Sequence, residues 1–245
     1  MKALLTSSLG GIRKENGMRF PAPILTENGL SDTLKKIWIK NARVLMICSD
    51  PEDFEKNDSV ARCFREAFPM SGFSVSSVSV CDGRNPEIAD SINAFDVLVL
   101  MGGHVPTQNQ FLHKIHLKEN LTDFGGIVVA WSAGSMNCAK TVYAIPELDG
   151  EALDPAYKRW IPGLGLTGIN IFPHFQSLRD EVLDGLKMVE DIVFEDSKRH
   201  EVIAINDGSY ILINGEKETL FGESYRIKNG VLRLICRKNE SIALK

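Results

Sequence analysis

The stretch that decides the fold is GGIVVAWSAGSMNCAK, residues 125–140. Its apolar run from Ile127 to Ala130 predicts a buried strand, which ends at Trp131-Ser132-Ala133-Gly134 before a helix-compatible segment. The small residues predict a tight strand-to-helix turn, because larger side chains would collide where the backbone folds back. Ser132 at its apex is either a helix N-cap or a nucleophile raised above a sheet edge. Ala130 stands where a general hydrolase elbow has its first glycine.

The composition is that of an ordinary globular protein. The chain has 245 residues, 44% of them hydrophobic and 24% charged, which predicts one α/β domain over residues 1–245. A net charge of -4 without clustered lysine or arginine argues against binding to nucleic acid or to an anionic membrane. The N-terminus lacks the apolar core of a signal peptide, and no apolar run is long enough to span a membrane. We therefore expect a cytosolic protein.

The cysteines predict neither a disulfide framework nor a metal site. There are five, widely spaced and without a C-x-x-C pair, so reduced and mostly buried thiols are expected. Cys138 falls within the helix predicted after Ser132, where its side chain would pack instead of acting as a second nucleophile.

Apolar runs alternate with helix-like segments along most of the chain. This alternation predicts a doubly wound, mostly parallel sheet with flanking helices. Predicted strands cover residues 3–6, 43–48, 73–80, 97–101 and 127–130. One helix is predicted between Cys48 and Phe73, with Ser49 or Asp50 as its cap. Other predicted helices cover about 34–40, 86–94 and 106–121. Short β-rich runs after residue 200, separated by Asp207-Gly208, Asn214-Gly215 and Asn229-Gly230, predict an antiparallel hairpin extension of the same sheet.

Residues 9–32 form an insertion that is longer than a plain βα connection requires. It is either a flap near the site or an exposed loop.

Residues suited to nucleophilic catalysis follow several predicted strands. A serine hydroxyl needs a base, usually a histidine oriented by a carboxylate. His174 follows an apolar run in LTGINIFPHF, at the place where such a base is expected. The loop between Ser132 and His174 offers four carboxylates, Glu147, Asp149, Glu151 and Asp154, among which spacing does not choose. Gly102 and Gly103 follow a neighbouring strand and leave N–H groups accessible to an oxyanion, which the N–H of Ala133 would share.

The other histidines give weaker signals. His104 adjoins the glycine pair and is a candidate to line the site. His113 and His116 are three apart on a predicted helix, but no acidic residue nearby completes a metal site, so none is expected. His200, in a charged run, is expected in a solvated turn.

The Trp131–Gly134 elbow, the Gly102-Gly103 loop and Pro173-His174-Phe175 together resemble the peptidase E family of aspartyl dipeptidases. These are serine peptidases on a class I glutamine-amidotransferase-like, flavodoxin-like fold. The resemblance covers about residues 40–215. It implies that Ser132 is the nucleophile and His174 the base. The acid it implies lies fifteen residues after the serine, at Glu147, with Asp149 as the second choice.

The resemblance also implies the substrate and its contacts. The expected reaction is hydrolysis of short peptides with an N-terminal aspartate, without a metal or organic cofactor. Gly103 and Ala133 would hold the oxyanion. Gly102 and His104 are further candidates for substrate contact. An acidic substrate side chain needs a cation, and Arg179, five residues after His174, is the nearest candidate, with a structural salt bridge at a helix start as the alternative. The family loop usually has three glycines, whereas here His104 follows two.

Other assignments stay open on the same scaffold. A homodimer is common for such folds, although no residue marks an interface. The two alternative functions are a serine hydrolase of other aspartyl or isopeptide bonds, as in cyanophycin-degrading relatives, and a non-catalytic ligand-binding protein.

Overall fold

The chain folds into a mixed α/β structure built around one large sheet. A computed structural model describes residues 1–244. The strands are β1 (Lys2–Thr6), β2 (Gly10–Glu15), β3 (Met18–Ile24), β4 (Ala42–Ile47), β5 (Val75–Cys81), β6 (Val97–Leu100), β7 (Ile127–Trp131), β8 (Thr141–Tyr143), β9 (Trp160–Pro162), β10 (Ile171–Phe172), β11 (Val182–Leu183), β12 (Leu186–Lys187), β13 (Val202–Ile205), β14 (Tyr210–Asn214), β15 (Lys217–Phe221), β16 (Ser224–Lys228), β17 (Val231–Cys236) and β18 (Ser241–Ala243).

The helices flank this sheet or join its strands. The α-helices are α1 (Leu30–Ile37), α2 (Phe54–Met70), α3 (Val105–Lys114), α4 (Leu117–Asn120), α5 (Ala133–Asn137), α6 (Phe175–Leu178) and α7 (Phe194–Asp196). Three 3-10 segments cover Glu27–Gly29, Pro86–Ala94 and Leu121–Asp123, and a π-helical turn covers Met188–Val193. Within residues 1–244, none of these helices combines the length and apolar character needed to cross a membrane.

The main sheet has eight strands in the order β18-β15-β14-β1-β7-β6-β4-β5. The five from β1 to β5 in this order are mutually parallel, and β14, β15 and β18 extend the β1 edge in antiparallel pairing. All four residues of β6 are buried, as expected for a parallel strand covered on both faces. The predicted doubly wound, mostly parallel α/β fold is confirmed. The prediction of one domain stays a prediction.

The five predicted strands are present, with their ends shifted by one or two residues. The helix bounds differ more. Asp53 caps α2, its Oδ1 accepting a bond from the Lys56 N–H at 3.1 Å, so the predicted cap at Ser49 or Asp50 is wrong. The helix predicted over 106–121 is divided by His116, whose φ of 50° is left-handed, and residues 86–94 form a 3-10 segment. The helix predicted near 34–40 begins and ends earlier, as α1.

The β-rich C-terminal region is divided between two sheets, which corrects the predicted extension of a single sheet. A second sheet has the order β10-β13-β16-β17, in which β13 runs parallel to β10 and antiparallel to β16. Asp207-Gly208 connects the two sheets, because it lies between β13 of the second and β14 of the first. This dipeptide is therefore not a hairpin turn, whereas Asn229-Gly230 joins the paired strands β16 and β17 as predicted.

Residues 9–32 are mostly ordered secondary structure and include a β-hairpin. Strands β2 and β3 pair in antiparallel register, and Asn16 and Gly17 between them both have positive φ, at 48° and 78°. This is the type I′ geometry that Asn-Gly dipeptides favour. The insertion is therefore not an irregular loop, and its hairpin lies near the site, because Lys14 and Arg19 line one cavity together with Ser132.

Candidate active site

Ser132 occupies a sharp, strained turn between β7 and α5. Its backbone has φ 51° and ψ −122°, a conformation that costs a non-glycine residue about 1–3 kcal/mol. Ser132 is the N-cap residue of α5 by position, but its hydroxyl makes no hydrogen bond to the first turn and does not cap the helix. A Cβ on Gly134 would overlap the Leu100 carbonyl, which explains the glycine two residues after the serine. These observations match the geometry of a nucleophile elbow.

The turn is fixed against the end of β1. The Ser132 N–H donates to the carbonyls of Thr6 and Ser7, at 3.0 and 3.1 Å. The buried Ser135 hydroxyl reaches the carbonyls of Thr6 and Ala130, at 2.8 and 2.9 Å. These bonds hold the backbone in its strained form. Ala130, which stands where a general elbow has glycine, accepts one of these bonds through its carbonyl. Its side chain is fully buried, so the turn accommodates alanine at this position.

His174 follows β10 and is held by the residue that follows β1. Its φ is 56°, and its N–H donates to Ser7 Oγ at 2.7 Å. Its ring Nδ1 lies 2.7 Å from Asp207 Oδ1. A proton on Nδ1 that bonds to Asp207 leaves Nε2 as the basic nitrogen of the neutral ring.

The carboxylate that orients His174 is Asp207, whereas the sequence analysis expected Glu147 with Asp149 in reserve. Strands β10 and β13 are parallel neighbours, so the residues after their carboxyl ends, His174 and Asp207, come together. Ser7 donates to Asp207 Oδ1 at 2.6 Å, and Gln176 donates to Oδ2 at 2.7 Å. Burial alone would raise the pKa of Asp207, but hydrogen bonds from His174, Ser7 and Gln176 hold it below its ordinary value.

Ser7, Gln176 and Asp207 were missed by the sequence analysis. Asp207 was visible only as a turn dipeptide, and nothing local links it to a residue 33 positions earlier. Asp207 would be predicted as the partner of His174 only if the strands that precede the two residues were known to pair in parallel.

Glu147 lies near the site but in a different role. It lines one cavity with Ser132 and His174, and its N–H donates to Glu151 Oε2 at 2.8 Å. Desolvation by the cavity walls, followed by the nearby Glu151, raises the pKa of Glu147 to about 7, although its side chain still reaches solvent. Asp149 is exposed and lines neither cavity beside Ser132.

The hydrogen bonds of the His174 ring run through Nδ1 to Asp207 and Ser7. Within residues 1–244, none joins this ring to Ser132, although both side chains line the same two cavities. Bonds between a nucleophile and its base often shorten only when substrate is bound. The structure thus brings the two residues to one site without joining them.

The Gly102-Gly103 loop lies beside Ser132, as the sequence analysis expected. A Cβ on Gly102 would come within 3.0 Å of the Ser132 Cβ, so only glycine allows this approach. Among the residues that the structure describes, no backbone group accepts a bond from the N–H of Gly103 or Ala133. Both N–H groups are therefore available as donors.

His104 and Arg179 are not placed as substrate contacts. His104 Nδ1 lies 2.7 Å from Thr107 Oγ1, and its Nε2 lies 2.9 Å from Glu151 Oε1, so both ring nitrogens are engaged. Arg179 is half-exposed, 3.8 Å from Asp180 and stacked on Phe175, and it lines neither cavity.

Two cavities open on either side of Ser132 and His174. The apolar cavity, of about 320 Å³, contains the carboxylates of Glu147 and Glu181. Its walls are mainly Met136, Ile145, Phe172, Leu178, Leu183 and Met188. The cationic cavity, of about 400 Å³, contains Lys14, Arg19 and Lys56 and is lined by no carboxylate.

Comparison with known proteins supports a peptidase. The model of Peptidase family S51 matches residues 26–221. The crystal structure of a "Putative Peptidase E Protein" from Listeria monocytogenes EGD-e is similar to this fold, with a TM-score of 0.58 at 13% identity. That alignment covers 96% of this chain and 98% of the Listeria chain. A comparison with curated proteins found no match. The chain belongs to peptidase family S51, a membership that supports a serine-type peptidase.

Proposed function

We propose that the protein hydrolyses short peptides through an acyl-enzyme on Ser132, with His174 as base and Asp207 as the orienting acid. One observation carries this proposal. Ser132 lies on a strained turn, and its hydroxyl makes no capping bond to α5. It lines the same two cavities as His174, whose Nδ1 is bonded to Asp207. Membership of family S51 supports it independently.

The residues divide the reaction between them as follows. Ser132 Oγ attacks the peptide carbonyl while His174 Nε2 takes its proton, and Asp207 stabilises the imidazolium that forms. The N–H groups of Gly103 and Ala133 bind the oxyanion. His174 then gives its proton to the leaving amine, and the C–N bond breaks to leave an ester on Ser132. Water, deprotonated by His174, attacks this ester and releases the acid and the free serine.

The finer proposal is a preference for peptides with a free N-terminus and an N-terminal aspartate. Glu147 supports the first part, because its carboxylate lines the apolar cavity and forms no ion pair within residues 1–244. It is available to a peptide ammonium group. The cationic cavity supports the second part, because no Asp or Glu within residues 1–244 lines it beside its three cations.

The proposal is tested by incubating the protein with Asp-Leu, Asn-Leu, Leu-Leu and β-linked aspartyl dipeptides. We expect cleavage of Asp-Leu, and a loss of about a thousandfold or more in kcat for Ser132→Ala. Ser77→Ala, at an exposed serine of β5, is the matched control and should cleave like the parent.

Three outcomes would contradict the proposal at different levels. Equal activity of Ser132→Ala and the parent would overturn the mechanism. Cleavage of β-linked substrates alone would retain the serine chemistry and assign it to isopeptide bonds. Equal rates for Asp-Leu and Leu-Leu would remove the aspartate preference.

We also propose that the protein acts in the cytosol. All five cysteines are free and buried, as suits a reducing compartment. Burial raises the pKa of Cys138 above its ordinary range, and this cysteine therefore takes no part in the proposed reaction.

A further inference from the structure

We propose that Lys14 and Arg19 of the β2–β3 hairpin, together with Lys56 of α2, form a subsite that binds a carboxylate of the substrate. The inference rests on the proposed function, because the subsite opens onto the same serine. It assigns substrate selection to a hairpin that the sequence analysis did not recognise. It also replaces Arg179, the cation that the sequence analysis expected.

Alternate residues of β2 line the cationic cavity, which Ser132 also lines. Gly10, Ile12 and Lys14, two residues apart along β2, all line the cationic cavity. Arg13, between them, lies on the other face, where it pairs with Glu15 and stacks on Phe20. Near the turn of the hairpin, one face therefore borders the cavity, whereas Arg13 on the other face is exposed.

Two like charges stand directly opposite each other on the cavity face. Lys14 and Arg19 are Cα partners across the antiparallel pair. Like charges at such positions destabilise a hairpin. Within residues 1–244, neither side chain forms an ion pair, and no Asp or Glu lines the cavity to offset them. A bound anion would remove this repulsion, which is the physical reason to infer a carboxylate ligand.

Lys56 links this subsite to the reacting centre. Its Nζ lies 3.7 Å from the position that a Cβ of Gly103 would occupy, so the ammonium group adjoins the proposed oxyanion loop. Lys56 and Arg19 are half-buried, which makes their charges less screened than those of fully exposed side chains. A carboxylate held here would lie in the same cavity as Ser132.

The hairpin packs closely against α2, which places Lys14 and Arg19 at the cavity. A Cβ on Gly11 would overlap the Phe64 ring of α2, which shows how closely the two elements approach. The Ile24 N–H donates to Ser71 Oγ at 2.8 Å, and the Leu25 N–H donates to the Leu9 carbonyl at 3.0 Å. The family match begins at residue 26, so Lys14 and Arg19 lie outside the matched region.

The test uses Lys14→Gln, Arg19→Gln and Lys56→Gln, with Arg13→Gln as the matched control on the opposite face of the hairpin. For Asp-Leu we expect each cavity variant to raise KM by about tenfold, and Lys14→Gln with Arg19→Gln together to raise it by about a hundredfold, from loss of charge-assisted bonds. Arg13→Gln should match the parent. Circular dichroism and thermal unfolding confirm that each variant is folded.

Comparing KM for Asp-Leu, Asp-Leu amide and Leu-Leu identifies which carboxylate of the substrate is bound. If it is the aspartate side chain, the variants lose activity equally on Asp-Leu and Asp-Leu amide, and they leave Leu-Leu unchanged. If it is the peptide C-terminus, they lose activity on Leu-Leu and leave Asp-Leu amide unchanged. Either pattern supports the subsite. Unchanged KM for all three peptides in every cavity variant overturns it.

A binding measurement separates this inference from the proposed function. Calorimetric titration with succinate, a dicarboxylate without a peptide bond, should show binding to the parent and to Arg13→Gln. Loss of this binding in the cavity variants supports the subsite even if the parent cleaves no peptide. Succinate binding that is unaltered in those variants overturns the subsite even if the peptidase activity is found.

Discussion

The two cavities beside Ser132 share the serine and the histidine but differ in charge. The apolar cavity carries Glu147 and Glu181 among hydrophobic walls, whereas the cationic cavity carries Lys14, Arg19 and Lys56. An ammonium group is favoured in the first and a carboxylate in the second. A short peptide contains both groups within a few bonds of its scissile carbonyl. In the proposed function, recognition of peptide ends and of acidic side chains is therefore divided between these two cavities.

The largest expected effect concerns the group that both cavities share. We predict that Asp207→Asn lowers kcat by about a thousandfold or more for every cleaved peptide, because the His174 tautomer and its imidazolium lose their support. Steady-state kinetics on the dipeptide panel measure this loss. Asp149→Asn, an exposed carboxylate outside both cavities, serves as the control. A variant Asp207→Asn with the kcat of the parent would return the assignment of the acid to Glu147.

A smaller effect is expected on the apolar side. We predict that Glu147→Gln raises KM for peptides with a free amine by about tenfold, through loss of one charge-assisted contact, while kcat changes little. The pKa of Glu147 is about 7, so the carboxylate is available to an ammonium group mainly above that pH.

The pH dependence provides the check on that assignment. The KM of the parent should fall as pH rises through about 7, whereas the KM of Glu147→Gln should not show this fall. A large loss of kcat in Glu147→Gln, with KM unchanged, would contradict a binding role and favour a catalytic one.

The smallest expected effect is on stability. Glu147 has a higher pKa in the folded protein than its ordinary 4.5, so the folded state holds its proton more tightly than the unfolded state. Stability is therefore lost as pH rises from about 4.5 through about 7. We predict that Glu147→Gln, which cannot ionise, is more stable than the parent at pH 8, by on the order of 1 kcal/mol after allowing for solvent screening.

Urea unfolding of both proteins at pH 8 and pH 4.5 measures this difference. The gain should be much smaller at pH 4.5, where the carboxyl is protonated in the folded state and about half protonated in the unfolded state. A gain of equal size at both pH values would show that packing, and not ionisation, is responsible.

Local patterns were sufficient for the frame of the fold. The apolar runs of β4, β6 and β7 are buried on both faces, so their composition alone identifies them as parallel strands. The elbow at Ser132 was equally visible, because the small residues around it are required by contacts within a few residues and with the next strand.

Some local information was present but not used. Asn16-Gly17 carries the same hairpin signal as Asn229-Gly230, but it lies within the long insertion 9–32, which was predicted only as a flap or an exposed loop. The hairpin was thus predictable, although its docking on α2 was not. That docking depends on the fit between Gly11 and Phe64, which are far apart in sequence.

The sequence by itself determined the parallel α/β frame, the strained turn at Ser132 and the position of His174 after a strand. These follow from residue preferences that act over a few positions. Only the tertiary structure decided that Asp207 bonds to His174 and that Lys14 and Arg19 line a cavity with the serine. Both depend on which distant strands become neighbours, and that choice is made by the packing of the whole chain and not by any local pattern.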